Sequence, residues 1–233
     1  MRLEVADVHA SYGSSKVLHG LSLHLAEGEV LGLLGRNGRG KTTLVHTIAG
    51  LMKPRAGSIT LDGHPIAGLP AERVARHGVA LVPQGRRVFR SLTVGEHLDI
   101  AARDPGGDGW SIAAVCERFP ILAQRWNQMA GQLSGGQQQM LAIGRALVAN
   151  ARLVLMDEPA EGLDPGRMAT VADVVRDLRA RGTGVLVVEQ KVGFALEVVD
   201  RVEVIERGRT TFATTPQEVG ADRRQLYHEL GFG

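Results

Sequence analysis

Long apolar runs are missing from this chain of 233 residues, and cysteine is nearly so. The longest uninterrupted apolar stretches span about five residues against the ~20 that a membrane helix needs, so no bilayer-crossing helix is expected. Cys116 is the single cysteine, which excludes a disulfide framework and a cysteine-based metal site and agrees with a reducing compartment. A strong charge of either sign is also lacking. The formal net charge is +2, and the basic residues are scattered instead of blocked, so nothing points to nucleic acid. Residues 1–10 alternate apolar and polar side chains and read as a strand, not as a basic segment feeding a secretory apolar core. No repeat or low-complexity segment is evident. With 44% hydrophobic residues, the length suits one large α/β domain with an inserted subdomain.

Glycine, by contrast, is plentiful where it matters. Gly35, Arg36, Asn37, Gly38, Arg39, Gly40, Lys41, Thr42 and Thr43 form a G-x-x-x-x-G-K-[ST] loop behind the apolar run 30–34 and ahead of a helical pattern in Leu44, Val45, Ile48 and Leu51. Strand, glycine loop and helix together make a phosphate cradle: the backbone curls so that N–H groups face an anion, and the helix start adds its positive end. Lys41 would reach the β and γ phosphates of ATP, and Thr42 would offer its hydroxyl to Mg²⁺.

Leu3, Val5 and Val8, with Leu21, Leu23 and Leu25, read as half-buried strands, and 58–61 before Asp62-Gly63 as a hairpin arm. A small antiparallel sheet beside the loop is expected. The runs 30–34, 79–82, 153–156 and 185–188 lack alternation, as strands covered on both faces do, and imply a parallel central sheet. The expected architecture is a P-loop core of mostly parallel sheet with an antiparallel β subdomain (1–84 and 151–233) and an inserted helical subdomain (85–150). Thr93 and Glu96 form a candidate capping box, 103–109 is the best candidate for a mobile loop, and a closing helix is expected from Pro216.

The run 153–156 ends in Asp157 and Glu158. At the C-terminal edge of a parallel sheet, Asp157 would hold Mg²⁺, while Glu158, free of the metal, would deprotonate the attacking water. Upstream, Ser134, Gly135, Gly136 and Gln137 open a helix; Ser134 suits an N-cap, and the glycines let a phosphate approach the backbone.

The loop, the pentapeptide beginning at Leu133 and the Asp-Glu strand, in this order, resemble the ATP-binding subunit of an ABC transporter over essentially the whole chain. The resemblance implies that Ser134, Gly135, Gly136 and Gln137 act in trans, two subunits closing head to tail on two ATP molecules. It implies that Tyr12 stacks on adenine and that Gln84 touches Mg²⁺ or the attacking water. It also implies that Gly162-Leu163-Asp164 crosses the dimer seam, with Asp164 capping the helix from Pro165. Two departures stand out: Ala160 replaces a common serine, and Gln190 stands where the family has its switch histidine. None of the eight histidines is near enough in sequence to replace it. Glu158 is therefore expected as the base and Gln190 as a neutral phosphate sensor.

The strings around Arg36, Gln84-Gly85-Arg86-Arg87 and Val188-Glu189-Gln190 are similar to ATPases that import branched-chain amino acids and to their urea and amide relatives. The implied protein works at the cytoplasmic face of the membrane, with permease subunits and a second ATPase subunit, identical or related. The segment 86–92 is the expected edge of the permease groove. A soluble superfamily member acting on ribosomes or DNA usually has paired domains or a coiled-coil insertion, neither of which is found here. A small-molecule P-loop kinase leaves the Ser134 pentapeptide unexplained.

Overall fold

Alternating burial turns the first segments into a hairpin. In the computed structural model, which describes residues 2–220 and 222–231, β1 (Leu3–Tyr12) and β2 (Ser15–Leu25) pair antiparallel around a two-residue turn with Gly13 left-handed. β3 (Val30–Leu34) is buried at every position and runs through the glycine loop into α1 (Lys41–Ile48). β4 (Ala56–Leu61) returns to the free edge of β1 and carries the short β5 (His64–Pro65), completing a four-stranded antiparallel sheet in the order β2-β1-β4-β5. After α2 (Ala71–Arg76) comes β6 (Val79–Val82).

Helices fill the next stretch: α3 (Val94–Ala101), α4 (Ile112–Arg118), α5 (Pro120–Gln124) and α6 (Gly135–Val148). The Thr93 and Glu96 capping box opens α3 with both reciprocal hydrogen bonds in place. β7 (Leu153–Asp157), α7 (Pro165–Ala180), β8 (Gly184–Glu189), α8 (Val192–Val198), β9 (Arg201–Glu206) and β10 (Arg209–Thr214) follow.

The second sheet has six strands in the order β10-β9-β3-β8-β7-β6, all parallel except β10. Its strands lack alternation because both faces are covered. Leu31, Leu33, Leu155, Leu186 and Val188 pack toward α1 and the antiparallel sheet, while Val30, Leu34, Met156, Val185 and Val187 pack toward α6, α7 and α8. Register brings Leu34 opposite Glu189 and Asp157 opposite Val188, so the glycine loop and both acids leave the sheet at one edge.

The closing helix is a correction. The chain from Pro216 forms one turn, α9 (Pro216–Val219), and only later α10 (Arg224–Glu229). Gly220, at φ 51° and ψ −138°, turns the backbone out of helical geometry between them. No helix among the described residues is long and apolar enough to cross a membrane.

Candidate active site

Each glycine of the loop has its own reason. A Cβ on Gly35 would lie 2.6 Å from the Ile205 carbonyl oxygen, a fixed backbone atom. Gly38 and Gly40 have φ of 77° and 105°, which side-chain-bearing residues rarely adopt. Gly40 is the N-cap of α1, and α1 has neither a side-chain cap nor an acid in its first turn. Its first N–H groups are therefore left for an anion. The buried Lys41 ammonium donates to the carbonyls of Gly35 (2.7 Å) and Arg36 (3.2 Å) and lies 3.5 Å from Glu158 Oε1. Burial lowers its pKa, against the pull of Glu158. The larger side chains turn outward: Arg36 donates to the Gly231 carbonyl, and Arg39 sits 3.2 Å from Glu206. Thr43 is buried, its carbonyl accepting the Thr47 hydroxyl at 2.7 Å. The loop thus offers mainly backbone to a ligand.

Asp157 ends β7 only 1% exposed, and neither carboxylate oxygen has a hydrogen-bond partner. Burial pushes its pKa up to about 6; the neighbouring Thr42 hydroxyl opposes this without completing a well-formed hydrogen bond. An unpaired buried carboxylate is costly, and beside a threonine hydroxyl it makes a hard-oxygen donor set. Such a set fits Mg²⁺, which binds through one or two protein carboxylates together with substrate phosphates. Among the described residues no cluster of three or more His, Cys, Asp or Glu offers a denser metal site.

Glu158 has a left-handed φ of 51°, a strain of about 1–3 kcal/mol for a non-glycine residue, and its N–H donates to the Val188 carbonyl at 2.8 Å. Its carboxylate, in a residue 7% exposed, gathers Gln190 Nε2 on Oε1 (2.7 Å) and Gln84 Nε2 on Oε2 (3.2 Å). The Gln190 amide also donates to Asn37 Oδ1 at 2.6 Å, bridging the glycine loop to Glu158. Lys41, Gln84, Glu158, Gln190 and Asn37 are therefore one network. Tyr12, 51% exposed, stands at the tip of the β1–β2 hairpin, whose Leu18 packs against Gly40.

The Ser134 turn stays apart from that network. No hydrogen bond among the described residues joins 134–137 to the glycine loop. Ser134 Oγ accepts the Gln137 N–H at 3.4 Å, and Gln137 Oε1 accepts the Ser134 N–H at 2.9 Å, so the Gln137 side chain is spent on a capping box. Gly135 and Gly136 do not have positive φ, and a Cβ on either would meet only the flexible ends of Arg86 and Arg167. Packing within the chain does not demand glycine there. Asp164 caps α7 through the Arg167 N–H at 3.0 Å, with Pro165 at the first position.

Three neighbours of this network escape the sequence reading. Glu189, 2% exposed, accepts the N–H groups of Ala160, Gln190 and Lys191. Lys191 Nζ donates to the Ala160 carbonyl (2.7 Å), and Gln139 Nε2 to that of Pro159 (3.1 Å). An acid ending the otherwise apolar strand 185–188 was the one available signal for Glu189.

Residues 18–161 match the sequence profile of the ABC transporter family. The chain is 41% identical to the high-affinity branched-chain amino acid transport ATP-binding protein BraG of Pseudomonas aeruginosa, over 89% of this chain and 90% of the relative. It is 35% identical to the lipopolysaccharide export system ATP-binding protein LptB of Haemophilus influenzae, over 98% and 97%. The solved ADP conformation of an ATP-binding cassette of an ABC transporter superposes with a TM-score of 0.82 at 25% identity, covering 100% of this chain and 99% of that one. The α/β architecture with its phosphate loop is accordingly that of the ATP-binding cassettes, and the chain belongs to the ABC transporter family as one of its ATP-binding, ATP-hydrolysing proteins.

Proposed function

We propose that this protein is the energy-coupling ATPase of a membrane importer for branched-chain or other hydrophobic amino acids, working at the cytoplasmic face of the membrane. The likeness to BraG supports the solute class. The catalytic reading rests on one observation: Glu158 is held beside the phosphate loop by Gln190, Gln84 and Lys41.

In this reading the backbone N–H groups of 35–43 and the Lys41 ammonium grip the β and γ phosphates, which replace the carbonyl acceptors Lys41 now uses. Tyr12 stacks on adenine. Asp157 and Thr42, with Gln84, would hold Mg²⁺, which when bound neutralises charge on the phosphate oxygens. Glu158 takes a proton from water as that water attacks the γ phosphorus, and the bond to the β–γ bridging oxygen breaks to leave ADP and phosphate. Gln190 donates a hydrogen bond without changing charge.

Gly135 and Gly136, which the chain's own packing leaves free to vary, support a use outside the chain: closing, with Ser134, on the ATP of a second subunit. Gly162-Leu163-Asp164 would then line the seam. Residues 85–150 act as the subdomain that moves on closure, and a groove of about 700 Å³ between it and the core receives a permease helix. Arg87 and Phe89 line that groove, and Leu51, Phe89 and Ile100 expose apolar side chains around it.

Reconstitution with its permease in proteoliposomes tests the reading: ATP-dependent leucine uptake is expected. Uptake of urea or an amide instead, or ATP turnover stimulated only by lipopolysaccharide as the LptB likeness would have it, overturns the solute class.

A further inference from the structure

The catalytic network accounts for Gln190 and Glu158 but not for the buried acid beside them. Glu189 closes β8 with its carboxylate enclosed, and burial pushes that carboxyl toward the neutral form. Three N–H donors oppose this: Ala160 on Oε1 at 3.0 Å, and Gln190 and Lys191 on Oε2 at 3.0 and 3.3 Å. Lys191 completes the clasp by donating its ammonium to the Ala160 carbonyl at 2.7 Å. Both backbone polar groups of Ala160 are therefore held by 189–191.

These two segments are the ones whose spacing matters. Ala160 follows Glu158 by two residues on the turn leading to 162–164, and Gln190 carries the amide that touches both Glu158 and Asn37. The Gln190 amide and the Glu158 carboxylate meet at 2.7 Å, while Glu158 sits in a strained left-handed conformation that only its surroundings maintain. A shift of one segment against the other by an ångström would break that contact.

Resting on the roles given to Glu158 and Gln190 above, we propose that Glu189 is a positioning residue for hydrolysis, its two carboxylate oxygens locking the Gln190 segment to the Ala160 turn. A neutral side chain cannot do both jobs. Glutamine keeps one acceptor oxygen but presents an NH₂ group to N–H donors on the other side, so one of the two segments is released.

A double-mutant cycle of Glu189→Gln and Gln190→Ala tests this, with kcat, KM and thermal unfolding measured for each. Glu189→Gln is expected to lower kcat at least tenfold while KM stays within about twofold, and to lower it less than twofold once Gln190 is alanine. If Glu189→Gln does not fold, Glu189→Asp, which keeps the charge but shortens the reach, enters the same cycle with the same expectations. Unchanged kcat, a matching rise in KM, or an equal loss with and without Gln190 overturns the proposal. Gln190→Ala alone reports on the underlying reading: wild-type turnover in that variant removes Gln190 from the mechanism, whereas a clear loss combined with an additive cycle refutes only the role of Glu189.

Discussion

Replacing Asp157 with asparagine should make the resting protein more stable while disabling it. The carboxyl titrates at 3.8 when free and at about 6 in the fold, a rise of about two units at 1.36 kcal/mol each, or about 3 kcal/mol. Because the folded value is the higher one, the native state keeps a proton that the unfolded chain has released, and stability falls as pH rises from about 4 to about 6. Below that window both states are protonated and the cost vanishes; above it the cost is complete and constant. Asparagine has no such titration. With metal chelated and nucleotide absent, the advantage of Asp157→Asn should grow from about 1 kcal/mol at pH 4.5 to a ceiling of about 3 kcal/mol at pH 7.5. For a chain of this size that ceiling corresponds to a Tm increase of roughly 6–12 °C, readable by scanning calorimetry or circular dichroism. The same variant should lose Mg-dependent ATP turnover. A Tm difference that does not change between pH 4.5 and 7.5, or an asparagine variant less stable than wild type at pH 7.5, would refute the unpaired buried anion on which this rests.

Glu158→Gln should slow ATP turnover by about 10²–10⁴-fold in a phosphate-release assay, as loss of a general base does, with nucleotide affinity retained in a fluorescent-ATP titration. The glycines should divide: Gly35→Ala puts a methyl against the Ile205 carbonyl and should destabilise by about 1–3 kcal/mol. Gly136→Ala, inside α6 with only an arginine end to displace, should leave Tm unchanged or raise it while abolishing turnover. Thr93→Ala removes the capping box of α3 and should cost about 1 kcal/mol in chemical denaturation, without altering nucleotide affinity.

What could be read from the sequence was what depends on neighbours in the chain. The glycine loop, the capping box at Thr93, the Ser134 N-cap, the Asp164 cap and the four unalternating strands are local patterns, because a loop, a cap or a doubly covered strand declares itself within about ten residues. Most of what escaped comes from contacts between distant segments. Glu189 meets Ala160 across 29 positions, and Gln190 meets Asn37 across 153. The strained φ of Glu158 arises where β7 gives way to the turn beside β8, and no composition rule announces it. Gln137 turns its side chain onto its own helix start, a preference visible in the Ser-x-x-Gln spacing. The helix expected from Pro216 does start there but stops after one turn at Gly220, whose positive φ ends it, a local signal that a glycine four residues into the helix already carries.

In the proposed function ATP is held between the glycine loop of one chain and the Ser134 turn of another. Sedimentation of Glu158→Gln with Mg²⁺ and ATP, with bound nucleotide counted, decides whether it is. The expected result is a particle of two-chain mass holding two ATP molecules, absent without ATP and absent when Gly136→Ala is added. A saturated single chain that keeps its ATP, with no change of mass at any concentration, would contradict it.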